Sequence, residues 1–191
     1  MWDILALLAS FLAMALIAAS YFCPNKILYL FLQSLGMVFL MASYLFTGAF
    51  FALIGLGIGL CRGLTYFVYE RQEKTAPVWT AWLFTIATLA AYAIVDLGIE
   101  QSAKPVDIFY LLSLIGFAFV MRERDLKVVR FGSLMPVALG VLYTALSQAP
   151  VFSVLSYSFE LGATVLSILR YYVFHKEKTA DGGQGETYEK L

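Results

Sequence analysis

Charge is scarce in this chain: Lys, Arg, Asp and Glu make up 14% of its 191 residues, against 61% for hydrophobic types. Mean hydropathy is accordingly +0.81. So little polar surface cannot coat a soluble domain of this length, and the composition places the chain in a lipid bilayer. Histidine occurs once and cysteine twice. Two cysteines cannot build a disulfide framework, and Cys23 at a helix end and Cys61 within an apolar stretch are expected to be plain thiols, Cys61 packing as a small apolar residue. His175 has no companion His or Cys for a metal and no partners for Ser-His-Asp catalysis. The glycines of Asp181-Gly182-Gly183-Gln184-Gly185 precede no helix, so they form no nucleotide loop. These absences leave no expected cofactor, metal site or enzymatic activity. A zero formal net charge gives no reason to expect nucleic acid as a partner.

What is present is a set of seven apolar stretches near the 17 to 25 residues of a spanning helix. They cover Ile4 to Tyr21, Ile27 to Thr47, Ala49 to Tyr69, Val78 to Leu97, Val106 to Met121, Val128 to Leu146 and Val151 to Phe174. The fifth is the shortest. The first lacks a basic leader and a small-residue cleavage site, so a retained helix is expected rather than a removable signal. The tail from Thr179 is polar and glycine-rich and is expected to be disordered.

The stretches repeat. Asp3-Ile4-Leu5-Ala6-Leu7-Leu8-Ala9 returns as Asp107-Ile108-Phe109-Tyr110-Leu111-Leu112-Ser113, and Tyr66-Phe67-Val68-Tyr69-Glu70-Arg71 returns as Tyr171-Tyr172-Val173-Phe174-His175-Lys176. Two distant anchors at nearly one spacing point to duplication of a three-helix unit. An odd number of spans per unit needs one linking span for both units to share an orientation, and Val78 to Leu97 supplies it. The expected fold is an all-α membrane protein of two parallel three-helix repeats, residues 1–74 and 101–178. A linker helix in 75–100 joins them, and the tail is 179–191. The short connections Thr47-Gly48-Ala49 and Ser147-Gln148-Ala149-Pro150 predict antiparallel hairpins. Lys26, Arg71, Lys74, Arg122, Arg124, Lys127 and Arg130 fall on one side with the basic residues of the tail, and Lys104 on the other. The positive-inside rule then puts the N-terminus outside and the C-terminus in the cytoplasm.

Ionisable groups at membrane depth cost roughly 2.5 to 3.5 kcal/mol on insertion scales, so they need partners or water. Arg62 lies ~13 Å deep and Gln33 ~9 Å deep by helical rise, which brings them within reach of each other. Glu160 falls near mid-membrane in the last stretch, where the first repeat has Gly55, and Arg62 corresponds to Ser167. One acid and one base could line a cavity for a polar solute; they could equally neutralise each other, or Arg62 could snorkel inward. Arg170 reads as an interfacial anchor. Tyr92 and Asp96 share a helix face, as an outer-mouth pair or as a water-capped acid. Trp79 and Trp82 fit the aromatic belt better than a stacking site. Gly55, Gly59 and Gly63 form a small-residue stripe that suits close packing better than room for a solute. Pro136 frees the carbonyl of Gly132 and makes either a hinge or a static kink.

Several of these elements carry a resemblance: Leu32-Gln33, Tyr44-Leu45-x-x-Gly48, Arg62-x-Leu64, Ser158-Phe159 and Ile168-Leu169-Arg170-Tyr171. On them the chain resembles the YgjV-type bacterial inner-membrane proteins, small multi-span proteins of unknown activity, which implies a bacterial inner-membrane location. It differs where asparagines are expected in that family and Gly59 and Ser167 stand here. The three-one-three layout is similar to SWEET sugar facilitators and PnuC-type vitamin transporters, without the Pro-Gln dipeptide of the former's relatives. The leading expectation is a small-solute transporter or facilitator with a midplane cavity lined by Gln33, Arg62, Tyr92 and Glu160. The alternative is a non-catalytic membrane protein acting as an assembly partner or lipid sensor. The expected partners are the bilayer and a small polar solute, with a homo-oligomer left open.

Overall fold

Breakers in the sequence fall where the helices end. In the computed structural model, which describes residues 2–47, 50–99, 104–147 and 151–173, α1 (Trp2–Tyr21) stops before Cys23-Pro24. Asn25 then opens α2 (Lys26–Thr47), its side chain accepting from the Ile27 amide at 2.8 Å. This is an N-cap that satisfies one of the helix's orphan donors. Helix α3 (Phe50–Arg71) closes through Glu73, whose φ of 55° is left-handed, with the Lys74 amide donating to the Tyr69 carbonyl at 3.0 Å. Pro77, extended and without an N–H to satisfy, precedes α4 (Val78–Tyr92). That helix continues as a π-helical segment, Ala93–Ile99.

Asp107 starts α5 (Asp107–Val120), where its carboxylate complements the helix N-terminus and accepts from the Lys104 amide at 2.6 Å. Asp125 caps α6 (Leu126–Leu146) by accepting from the Lys127 amide at 2.8 Å. Helix α7 (Val151–Ile168) continues as a second π-helical segment, Leu169–Val173. Seven helices thus stand where seven apolar stretches were expected, and no strand occurs among the described residues. The expected connections Gly48-Ala49 and Gln148-Ala149-Pro150, and the tail with His175, lie outside the described residues.

Each helix packs against its neighbours in the chain, α1 with α2 most extensively, and α7 packs back on α1. The helices therefore close into a ring in chain order. Its outside is apolar: Phe11 is 69% exposed, Met135 67%, and Ile4, Leu8 and Ile86 are similarly open. Its inside holds Ser20, Gln33, Arg62, Ser113, Arg130, Ser133, Thr164 and Ser167, all buried, among Tyr21, Tyr29, Tyr66, Met121, Val129 and Val137. This inverts the arrangement of a water-soluble domain. Helices α1, α2, α6 and α4 with its continuation are long and apolar enough to cross a membrane.

Most interior hydroxyls are satisfied by their own helix. Thr85, Thr88, Ser133, Thr144 and Thr164 donate to the carbonyl four residues back, at 2.6 to 3.0 Å. Such back-bonding lets a polar side chain sit among apolar ones without a tertiary partner. Pro136 lies inside an uninterrupted α6 and packs onto α5, where its carbonyl accepts from Ser113 Oγ at 2.7 Å. The glycine stripe packs as expected: a Cβ on Gly63 would stand 2.8 Å from Ser34 Oγ, and one on Gly55 3.1 Å from the Tyr110 hydroxyl. Cys61, in contrast, is exposed on the outer face of α3 and does not serve as an interior packing residue.

The close approach of α2 to α1 yields a direct test. A Cβ on Gly36 would lie 2.6 Å from Ile17 Cγ1 and 3.2 Å from the Ala13 carbonyl oxygen, whereas one on Gly57 meets nothing within 4 Å. Gly36→Ala should lower stability by about 1–3 kcal/mol through overpacking. Gly57→Ala should be neutral or stabilising by up to about 1 kcal/mol through helix propensity. Thermal unfolding of the purified protein in detergent checks the contrast.

Candidate functional site

Two polar clusters occupy the ring, one near its middle and one at the end that carries the basic connections. In the middle cluster, Glu160 of α7 accepts a hydrogen bond from the Tyr21 hydroxyl of α1 at 2.8 Å. Tyr21 is fully buried, and its ring meets Tyr29 of α2 edge to face at 5.6 Å. This hydrogen bond closes the seam at which α7 returns to α1. Thr164, one turn further along α7, points its hydroxyl back to the Glu160 carbonyl.

Across the ring stands Arg62 of α3, 3% exposed. Its Nη1 donates to the Leu114 carbonyl of α5 at 2.9 Å, and the guanidinium lies 5.8 Å from the centre of the Phe117 ring. One turn along, the Tyr66 hydroxyl donates to the Ala118 carbonyl at 2.7 Å. Residues 62 and 66 on α3 thus step in register with 114 and 118 on α5, as expected for side chains i and i+4 on two helices running the same way. The guanidinium also lies in the electrostatic field of Tyr29, Tyr66, Tyr110 and Tyr157, contributed by α2, α3, α5 and α7. Tyr110 stacks on Tyr143 of α6 at 5.0 Å. The interior is therefore faced by tyrosines from most of the ring.

Gln33 of α2 is 3% exposed, and its Nε2 has no hydrogen-bond partner. The same holds for Arg62 Nε, Ser34 Oγ and the Tyr29 hydroxyl. Gln33 and Arg62 are buried as expected, but no hydrogen bond joins them. Arg62 and Glu160 form no ion pair; those among the described residues are Lys26–Glu70 at 2.9 Å and Arg122–Glu123 at 2.8 Å. Tyr92 belongs elsewhere: its hydroxyl donates to Asp107 Oδ2 at 3.4 Å, between α4 and the start of α5. The Asp96 side chain, expected beside it, lies outside the described part. Trp79 and Trp82 are exposed, Trp82 meeting Phe119 edge to face at 5.3 Å. They suit an outer belt rather than an interior stack. Arg170 is exposed as well, consistent with a surface anchor.

The second cluster centres on Arg130, assigned from sequence only as a connection charge. It is 2% exposed. Its Nη2 donates to the Cys23 carbonyl at 2.6 Å and its Nη1 to the Tyr172 hydroxyl at 3.1 Å. The guanidinium lies 4.2 Å from the centre of the Tyr171 ring, a cation–π contact. The Tyr171 hydroxyl donates to the Phe22 carbonyl at 2.6 Å. The π-helical segment carries both tyrosines, and such segments often occur at functional positions in helices. The missed signal was positional: Arg130 sits inside the first turns of α6, where a cation opposes the helix dipole unless something else holds it. Burial pushes the nearby Cys23 thiol up, with the Arg130 charge opposing, which fits a packed thiol rather than a nucleophile.

No group of three or more His, Cys, Asp or Glu side chains could hold a metal ion among the described residues. Compared with known proteins, the chain matches no family model, no curated protein and no solved structure. The functional reading therefore rests on the geometry.

The seam between α1 and α7 offers a test of that geometry. Tyr21→Phe removes the hydrogen bond that the Glu160 carboxylate receives, and should lower stability by about 1–3 kcal/mol. Glu160→Gln keeps an acceptor for Tyr21 and should lose less. Thermal melts of both variants in one detergent decide the order.

Proposed function

We propose that this protein is a small-solute transporter or facilitator of a bacterial inner membrane, kin to the YgjV-type proteins. In this reading α1–α3 and α5–α7 are two parallel units joined by α4, and a solute passes between them. The basic connections face the cytoplasm and the N-terminus faces outward. Movement follows a gradient.

The observation that carries the reading is reciprocal. Tyr66 on the last helix of the first unit donates to a carbonyl near the basic end of α5, and Tyr171 on the last helix of the second donates to one just past the basic end of α1. These tyrosines correspond across the repeat. So do Lys26, paired with Glu70 of α3, and Arg130, stacked on Tyr171 beside α7. The hydrogen bonds from Tyr66, Tyr171 and Arg130 join the units at the basic end, and those from Arg62 to Leu114 and from Tyr21 to Glu160 join them above it. Bonds of this kind, each worth about 0.5–1.5 kcal/mol net, are few enough to break and reform as one unit rocks on the other. They act as a gate closed on the cytoplasmic side.

A second reading has its own observation. A cleft of about 410 Å³ on the outer face of α1, floored by Ala15, Ala18 and Ala19 and flanked by Phe11 and Phe159, is almost wholly apolar. It suits a lipid chain or a neighbouring helix and favours an assembly or lipid-sensing role.

Flux through liposomes separates the two. Reconstituted protein should carry at least one solute from a panel of sugars, vitamins, amino acids and organic acids with saturable kinetics. Tyr66→Phe with Tyr171→Phe should change that rate severalfold by loosening the gate. No flux of any panel member, with the protein folded in the vesicles, contradicts transport and favours the second reading.

A further inference from the structure

The transporter reading leaves open what the solute is, and the surroundings of Arg62 bear on its chemistry. We propose that Arg62, Gln33 and Tyr29 bind the carboxylate of a small monocarboxylic acid, an inference that rests on the reading above for its route in and out.

The first argument is charge. Arg62 is buried on the inner face of the ring, yet neither ion pair among the described residues includes it, and Glu160 is engaged by Tyr21. A carbonyl oxygen and aromatic faces hold the guanidinium, but no anion offsets it. Guanidinium stays charged under any physiological condition. A buried cation without a counter-charge is costly to keep, and a ligand that brings one negative charge would offset that cost.

Hydrogen bonding gives the second. Arg62 Nε, Gln33 Nε2 and Ser34 Oγ are buried polar atoms with no partner, and the Tyr29 hydroxyl makes no well-formed hydrogen bond, with Tyr21 and Ser133 nearby. Tyr29 and Gln33 are one turn apart on α2 and share a face, Tyr29 lies in the electrostatic field of Arg62, and Ser34 abuts Gly63 next to Arg62 on α3. The arginine and amide nitrogens can only donate, and the hydroxyls can donate as well. A group of donors around one cation selects an acceptor-only anion. An ammonium group would leave donors facing donors, and a neutral polyol could accept the hydrogen bonds but would bring no counter-charge.

Shape gives the third. Nη1 is committed to Leu114, which leaves the Nε edge; beside it Nη2 lies 3.8 Å from where a Cβ on Gly59 would be. That edge presents two parallel N–H groups, the fork that matches the two oxygens of a carboxylate. One charge balances a monocarboxylate, whereas a phosphate dianion or dicarboxylate would bring a second negative charge to a site with a single cation.

The test uses the full chain in nanodiscs, titrated calorimetrically with propionate, lactate, pyruvate and benzoate, and with glucose, choline and inorganic phosphate for comparison. At least one monocarboxylate should bind, with Kd raised tenfold or more by Arg62→Gln and by Gln33→Leu, less by Arg62→Lys, and unchanged by the surface variant Arg170→Gln. Should Arg62→Gln fail to fold, Gln33→Leu and Tyr29→Phe decide by the same criterion. Binding of none of the four acids, tighter binding of phosphate, or affinity unmoved by these substitutions overturns the proposal. Liposome flux keeps the two readings apart. Carboxylate binding without flux supports the site and removes transport, while flux of glucose or choline that no carboxylate inhibits supports transport and overturns the site.

Discussion

Everything in this molecule depends on keeping polar groups satisfied inside a ring whose outside is apolar. Where the surroundings are hydrocarbon, a buried donor or acceptor can turn only to the protein, and each failure costs several kcal/mol. The chain meets this in three ways. Serines and threonines bond back to their own helices and make no demand on the fold. Tyrosines span helices and end on main-chain carbonyls or on Glu160. The two buried arginines, Arg62 and Arg130, use carbonyls together with aromatic faces in place of carboxylates.

Those solutions are unevenly distributed, and the unevenness separates scaffold from site. At the basic end, Arg130 uses both terminal nitrogens and a stacked tyrosine and keeps only its Nε unpartnered, and Lys26 has Glu70. Near the middle, satisfaction stops short: Arg62, Gln33, Tyr29 and Ser34 each keep an unpartnered atom. The contacts of Tyr66, Tyr171 and Arg130 lie toward the basic end, while the sequence correspondences Arg62 with Ser167 and Glu160 with Gly55 differ. In the proposed two-unit reading, duplication would account for the frame, and divergence within it for the asymmetry of charge.

Helix boundaries were legible because their determinants are local. Cys23-Pro24-Asn25, Pro77 and Asp125 interrupt apolar runs with residues that break or cap helices, so the expected stretches match the observed helices within a few positions. Burial of Arg62 and Gln33 was legible too, since a polar group in a long apolar run has few places to go. Helix orientation about its own axis was not. With apolar residues facing both the core and the exterior, these helices carry no strong amphipathic signal, and Cys61 was expected inside but faces out. Nor did spacing reveal the Tyr21–Glu160 bond, whose partners lie at opposite ends of the chain, or the inward turn of Arg130. Tyr92 was inferred from sharing a helix face with Asp96, and its hydroxyl donates to Asp107.

The central claim is that the middle of this ring opens to water while its basic end is shut, and Thr164 reports on it most directly. It is fully buried on α7 one turn from Glu160. With Cys61 and Cys23 replaced by serine, Thr164→Cys in sealed proteoliposomes should react with a membrane-impermeant thiol reagent from the N-terminal face and not from the basic face. Silence from both faces, while the same Thr164→Cys protein reacts once the vesicles are solubilised and denatured, would contradict a water-accessible interior.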